Sequence, residues 1–262
     1  MKLFRINDQV NVFLTAVMFF TRIPVPRNID HSHAMLQRSA RYFSWVGILV
    51  GGIGAIIFFL SSKLFSPGLS IGFSMLATIL TTGAFHEDGF ADCCDAFGGG
   101  WTKEKILMIM KDSRLGTYGV VGLTGMLGFK FGLLLELTGK TGLSEMICIM
   151  IAAHSTSRLM AVSIMQQYDY VQDTDVSKSK PLANRKLTVI ELLIAIAGSL
   201  ITLLLLPAHL WLALAPLPFG GWLAGKYFKK WIGGYTGDCL GATQQVSEII
   251  FYLGSLVITQ YL

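Results

Sequence analysis

The chain has 262 residues, of which 53% are hydrophobic and 14% charged, with a net charge of +5. A soluble domain carries roughly 25% charged residues, so this balance excludes a disordered chain and a water-bathed globule. Four Cys in this length exclude a disulfide scaffold, and the absence of a CxxC pair speaks against zinc or iron–sulfur sites.

The first apolar stretch, Val10–Phe20, is too short to cross a bilayer and runs into Arg22-Ile23-Pro24-Val25-Pro26. It reads as an interfacial helix within an N-terminal segment covering residues 1–41. Beyond it, six to seven stretches approach the roughly 20 apolar residues that a spanning helix needs. They are Tyr42–Ser61, Leu69–His86, Tyr118–Leu137, Leu143–Met165, Val189–Leu206, Leu210–Gly225 and Val246–Leu262. The second and sixth are the weakest, the sixth being broken by Pro216 and Pro218. Gly47, Gly51 and Ala55 form a small-residue stripe suited to close helix packing. The expected fold is a single all-α, polytopic membrane domain spanning residues 1–262.

Lys and Arg alternate strongly between the connections. Alternate loops carry 17 against 2, with Lys130 and Arg158 inside spans. By the positive-inside rule the N-terminus is cytoplasmic, as are the loops over residues 87–117, 166–188 and 226–245. The net positive charge fits loops beside anionic lipid rather than nucleic acid. Lys130 reads as snorkelling toward the outer face. Arg158 either reaches a cytoplasmic site or snorkels to headgroups.

Six of the 16 acidic residues fall within Glu87–Asp112. Asp88, Asp92 and Asp95 are spaced i, i+4, i+7, which puts them within about 60° of one another on a helix. Carboxylates so placed repel at low dielectric unless a cation neutralises them, and Mg²⁺ is the natural partner because it also reaches substrate phosphates. Glu87 is a further candidate ligand, whereas His86 points away from the triad. Gly98-Gly99-Gly100 is either a phosphate-meeting turn or a plain one. Lys111 and Arg114 are either phosphate contacts or topology charges. Lys178 and Lys180 are split between phosphate and lipid headgroups. Asp238, the single acid of the Gly233–Thr243 turn, is either a second carboxylate of the site or a helix N-cap.

Three stretches in order, Phe85-His86-Glu87-Asp88-Gly89-Phe90-Ala91-Asp92, Lys111-Asp112-Ser113-Arg114-Leu115-Gly116-Thr117-Tyr118-Gly119 and Gly233-Gly234-Tyr235-Thr236-Gly237-Asp238-Cys239-Leu240-Gly241-Ala242, resemble the cobalamin synthase (adenosylcobinamide-GDP ribazoletransferase) family. Thr21-Arg22-Ile23-Pro24-Val25-Pro26 resembles it as well. Family members often carry Leu at the position of Glu87, and the Cys93-Cys94 pair is atypical. The resemblance implies a Mg²⁺-dependent transferase of the bacterial inner membrane with its site facing the cytoplasm. It would join adenosylcobinamide-GDP to α-ribazole or its 5′-phosphate and release GMP. Asp88, Asp92, Asp95 and Asp238 are then the catalytic set. Lys111, Asp112, Arg114, Lys178, Lys180 and Arg158 are the substrate-binding candidates. Implied partners are the two substrates and the bilayer, with a second copy or other cobalamin-assembly enzymes as further candidates. The alternative is a CDP-alcohol phosphotransferase. Its usual motif has Arg where this chain has Asp92, and a pair of Asp upstream of its Gly that is missing here. A cation transporter would need carboxylates at midplane, which the spans lack except near their ends.

A Cys introduced at Lys105 is therefore expected to resist an impermeant thiol reagent added outside sealed cells and to react after permeabilisation. Labelling from outside contradicts the charge-derived orientation.

Overall fold

The computed structural model describes residues 6–26, 29, 32–171 and 185–261, so Lys178 and Lys180 lie outside the described residues. The helices in chain order are α1 (Ile6–Phe20), α2 (His33–Ser39), α3 (Phe43–Ser61), α4 (Pro67–Thr82), α5 (Phe85–Gly99), α6 (Lys103–Met110), α7 (Thr117–Lys140), α8 (Leu143–Gln167), α9 (Val189–Leu203), α10 (Pro216–Ile232) and α11 (Gly237–Tyr261). Short 3₁₀ turns occupy Ala40–Tyr42 and Ala208–Leu214. Among the described residues, the one β feature is an isolated parallel bridge between Tyr170 and Tyr235.

The all-α expectation holds, but the seven apolar stretches behave differently from one another. Three runs are long and apolar enough to cross a membrane: Ala34–Ser61, which ends in α3, together with α7 and α8. The second expected span is broken. α4 and α5 meet at 88°. Gly83 ends α4 in the left-handed region at φ +67°, and Ala84 follows at φ +58°. Glycine takes that conformation without steric cost, so the chain turns sharply here. α5 therefore runs across the direction of α4 instead of extending it.

The fifth stretch forms a helix of 15 residues, opened by a reciprocal Thr188–Glu191 capping box and ended before Pro207. The sixth splits, because Pro216 cannot continue a preceding helix and instead starts α10. The seventh begins earlier than expected, at Gly237, and carries buried Gln244, Gln245, Ser247 and Glu248. The predicted 226–245 loop accordingly shrinks to Gly233–Thr236. Much of the predicted 87–117 loop is helical in α5 and α6. α1 docks onto the bundle through buried Val12, Ala16, Val17 and Phe20, with Phe20 stacked on Phe43.

α8 is the axis of the bundle, and α3 packs along it. The small-residue stripe makes this possible: a Cβ on Gly51 would stand 2.9 Å from the Cα of Ile151. Backbones this close allow polar bridging, and the Ser155 hydroxyl donates to the carbonyl of Ser44 at 3.0 Å.

Lys130 does not snorkel. It is 4% exposed and its Nζ stands 2.5 Å from Glu248 Oε1 on α11. Arg158 is likewise buried, donating to the His154 carbonyl at 2.8 Å with its guanidinium 5.8 Å from the Phe43 ring. Glu248, near the start of the seventh apolar stretch, is fully buried midway along α11 because that helix begins earlier than expected. A lone charge this deep has no water to solvate it, so Lys130 and Glu248 are retained only together.

Lys130→Met should destabilise the protein by about 3–5 kcal/mol, because it strands Glu248. Adding Glu248→Leu should recover most of that loss. Denaturation of the two single variants and the double variant in one detergent measures the coupling.

Candidate active site at the crossing of two helices

The site is built where α5 passes the first turns of α11. A Cβ on Gly89 would lie 3.0 Å from the Cα of Asp238, and one on Gly241 would lie 3.1 Å from the His86 carbonyl. A Cβ at either position would press on the facing backbone, which would have to give by a few tenths of an ångström. This contact puts Asp88 and Asp92 of α5 beside Asp238 of α11.

The three carboxylates feel one another. Burial raises the Asp92 carboxyl to about 7, and Asp238, Asp88 and Asp95 push it in the same direction. Burial raises Asp238 to about 6, with the Asp88 charge adding to the shift. Among the described residues, no ion pair includes any of the three. Asp88 is exposed and Asp92 half-buried, so the cluster opens to water.

Asp238 is not the N-cap of α11. Thr236 has that role, its hydroxyl accepting from the Cys239 amide at 3.3 Å. The capping alternative for Asp238 therefore falls away, and its carboxylate is left for the cluster.

Asp95 is a correction to the expected triad. Its two oxygens accept from the amides of Gly116 at 2.7 Å and Gly119 at 2.8 Å. It thereby caps the start of α7 from outside and anchors the Lys111–Gly116 segment beside α5. Glu87 is a second correction. It faces the bundle interior, accepting from Gln245 Nε2 at 2.9 Å. Arg158, its guanidinium held within the bundle, belongs to that interior network and not to the open cluster. His86, as expected, lies away from the carboxylates, buried and stacked on Phe43. Gly98 and Gly99 sit inside α5, and Gly98 is packed under the Tyr118 ring, so the triple glycine forms no phosphate loop.

Lys111 and Arg114 are exposed. The Arg114 guanidinium is paired with Asp112 at 2.6 Å, which holds that carboxyl down at about 2. This exposed pair is weak and opens at little cost to a competing phosphate.

Sequence reasoning missed Thr236, Gln244, Gln245 and Glu248. The spacing of Gly241, Gln245 and Glu248 at i, i+4, i+7 marks one face of a helix, and that spacing is the signal by which the two polar residues could have been found.

As they stand, no three His, Cys, Asp or Glu side chains among the described residues are disposed to hold a metal ion. The donor chemistry nonetheless fits a hard cation. Mg²⁺ is commonly held through one or two carboxylates and completes its shell with water and substrate phosphate. Asp88 and Asp92, one helical turn apart and uncompensated, match that pattern.

The chain matches the family model described as cobalamin-5-phosphate synthase over residues 12–256. It belongs to that family. Curated relatives named adenosylcobinamide-GDP ribazoletransferase cover nearly all of it. The protein of Shewanella frigidimarina is 44% identical over 254 residues, 95% of each chain. That of Shewanella oneidensis is 44% identical over 256 residues, 96% of each chain. That of Vibrio cholerae is 42% identical over 257 residues, 97% of this chain and 96% of its own. No solved structure matches. Membership of the cobalamin-5-phosphate synthase family, with the long apolar helices, makes this a helical membrane protein. It also decides against the CDP-alcohol phosphotransferase alternative.

Asp92 and Asp238 bind protons in the folded state well above the ordinary Asp value of 3.8. Between about pH 4 and pH 7 the folded chain thus holds more protons than the unfolded one, and stability falls as pH rises through that window. Without divalent ions, the melting temperature should climb as the buffer is lowered from pH 8 to pH 6. Asp92→Asn should flatten much of that climb, which differential scanning fluorimetry can read directly.

Proposed function

We propose that this chain joins adenosylcobinamide-GDP to α-ribazole or its 5′-phosphate and releases GMP, completing the nucleotide loop of cobalamin. The observation that carries the reading is the uncompensated cluster of Asp88, Asp92 and Asp238, assembled by two family motifs far apart in sequence. The 17:2 asymmetry of Lys and Arg supports an orientation with this cluster on the cytoplasmic face, where water-soluble nucleotides arrive, and the bacterial relatives support an inner-membrane location.

In this reading Asp88 and Asp92 hold Mg²⁺. When bound, the ion supplies charge neutralisation at the diphosphate and polarisation of the bond to GMP. The protein's own groups do the rest. Asp238, with its carboxyl raised to about 6, orients the ribose hydroxyl of the ribazole and accepts its proton as the oxygen attacks the cobinamide-side phosphorus. Arg114 leaves Asp112 and presents its planar fork to phosphate oxygens. Lys111 adds a point charge at the same edge. Asp95 positions these residues by fixing the segment that carries them to α5. The GMP phosphate departs into water on the exposed side, beside Asp88.

Asp238→Asn is the discriminating variant. Thr236 caps α11 and the buried Asp238 charge is removed, so the melting temperature at neutral pH should not fall and should rise somewhat. GMP release from adenosylcobinamide-GDP and α-ribazole should fall about 100-fold, the size of losing one electrostatic partner in such a site. An Asn variant within about threefold of the parent returns Asp238 to a structural role. Wild-type protein releasing CMP from CDP-diacylglycerol, with no GMP from the cobinamide substrate, defeats the proposed reaction.

A further inference from the structure

α5 has two faces. At ~100° per residue, Phe90, Cys94 and Phe97 lie roughly opposite Asp88, Asp92 and Asp95. Behind the carboxylates, this second face roofs a groove of about 600 Å³ walled by α10 and α11. Phe90, Phe97, Leu223, Tyr227, Val246 and Ile250 line it. Its Thr243 hydroxyl is already donated to the Cys239 carbonyl. The groove therefore offers little to a hydrogen-bonding ligand and is built for hydrocarbon. Its volume is within the ~300–1,000 Å³ of ordinary ligand sites.

The rim is of a different character. Lys226 and Lys230 follow Leu223 and Tyr227 by three residues each, on the adjoining strip of α10, and both are exposed. Lys226 Nζ stands 4.0 Å from the centre of the Trp222 ring, and Lys230 Nζ 5.6 Å from that of Trp231. Among the described residues, neither lysine is in an ion pair. Trp, Tyr and Lys grouped in this way mark the headgroup level of a bilayer. An apolar groove flanked along α10 by a strip of exposed cations and aromatic rings has the charge and shape complement of an anionic amphiphile.

We propose that the groove between α5, α10 and α11 binds one acyl chain of an anionic phospholipid, with Lys226 and Lys230 holding the headgroup. The bound chain fills the space beneath α5 and supports from the membrane side the helix whose other face carries Asp88 and Asp92. The site is independent of the proposed reaction, since its occupancy is read without turnover.

Protein purified in detergent and stripped of lipid should be titrated with dioleoylphosphatidylglycerol and, separately, dioleoylphosphatidylcholine, and bound lipid counted by native mass spectrometry. One phosphatidylglycerol should be retained with roughly tenfold preference, in keeping with the attraction two basic side chains add for anionic headgroups. Lys226→Gln with Lys230→Gln, both at exposed positions, should abolish the preference without loss of fold. Ala224→Trp should block retention of either lipid. Equal retention of the two lipids by the parent protein overturns the proposal. So does a preference that survives in the double lysine variant.

Discussion

The site depends on how closely α5 can approach α11. Gly89 and Gly241 bring two backbones together where a Cβ would be tight against the facing helix, and that contact sets Asp88 and Asp92 against Asp238. Asp residues from motifs about 150 positions apart become one cluster because two residues have no Cβ. The repulsion this creates is opposed by the packing of α5 onto the bundle and by the bond from Gln245 to Glu87 at 2.9 Å. That bond ties the same two helices together one residue away from Asp88.

Behind this clasp lies a buried polar network. Gln244 donates to Ser157 Oγ at 3.0 Å and to Glu248 Oε2 at 2.8 Å, and Glu248 meets Lys130. α11 is joined in this way to α8 and α7 at the depth where hydrophobic packing has least power to fix helix rotation. Lipid tails and leucine side chains are equally apolar, so a bundle gains little from burying one more leucine. Paired charges, by contrast, have large costs in every other arrangement. The network specifies the rotation of α11, and with it the direction in which Asp238 points.

α5 is the element on which the two environments meet. Its sharp entry at Gly83 and Ala84 lays it across the bundle, so one face carries the carboxylates and the other meets hydrocarbon. Asp95 extends the same logic at the far end. By accepting two amides at the start of α7 it couples the acidic helix to the segment bearing Lys111, Asp112 and Arg114.

Much of this was legible in the sequence. Composition fixed the solvent, and the apolar lengths marked α3, α7 and α8. The i, i+4, i+7 spacing found the acidic face, and the Gly-flanked Asp238 stood out in its turn. The family motifs named the chemistry, because motif identity is a local property. Three things were decided only by tertiary structure. The bend at Gly83 was hidden, since hydropathy reports that a segment is apolar but not whether it runs straight. The roles of Asp95, Glu87, Lys130 and Arg158 were hidden, since a charge in a sequence does not carry its partner with it. The separation of Asp238 from capping duty was hidden as well, because either Thr236 or Asp238 satisfies a cap by residue type. Which of the two holds the Cys239 amide shows only in the folded backbone, where the Thr236 hydroxyl is the oxygen within reach.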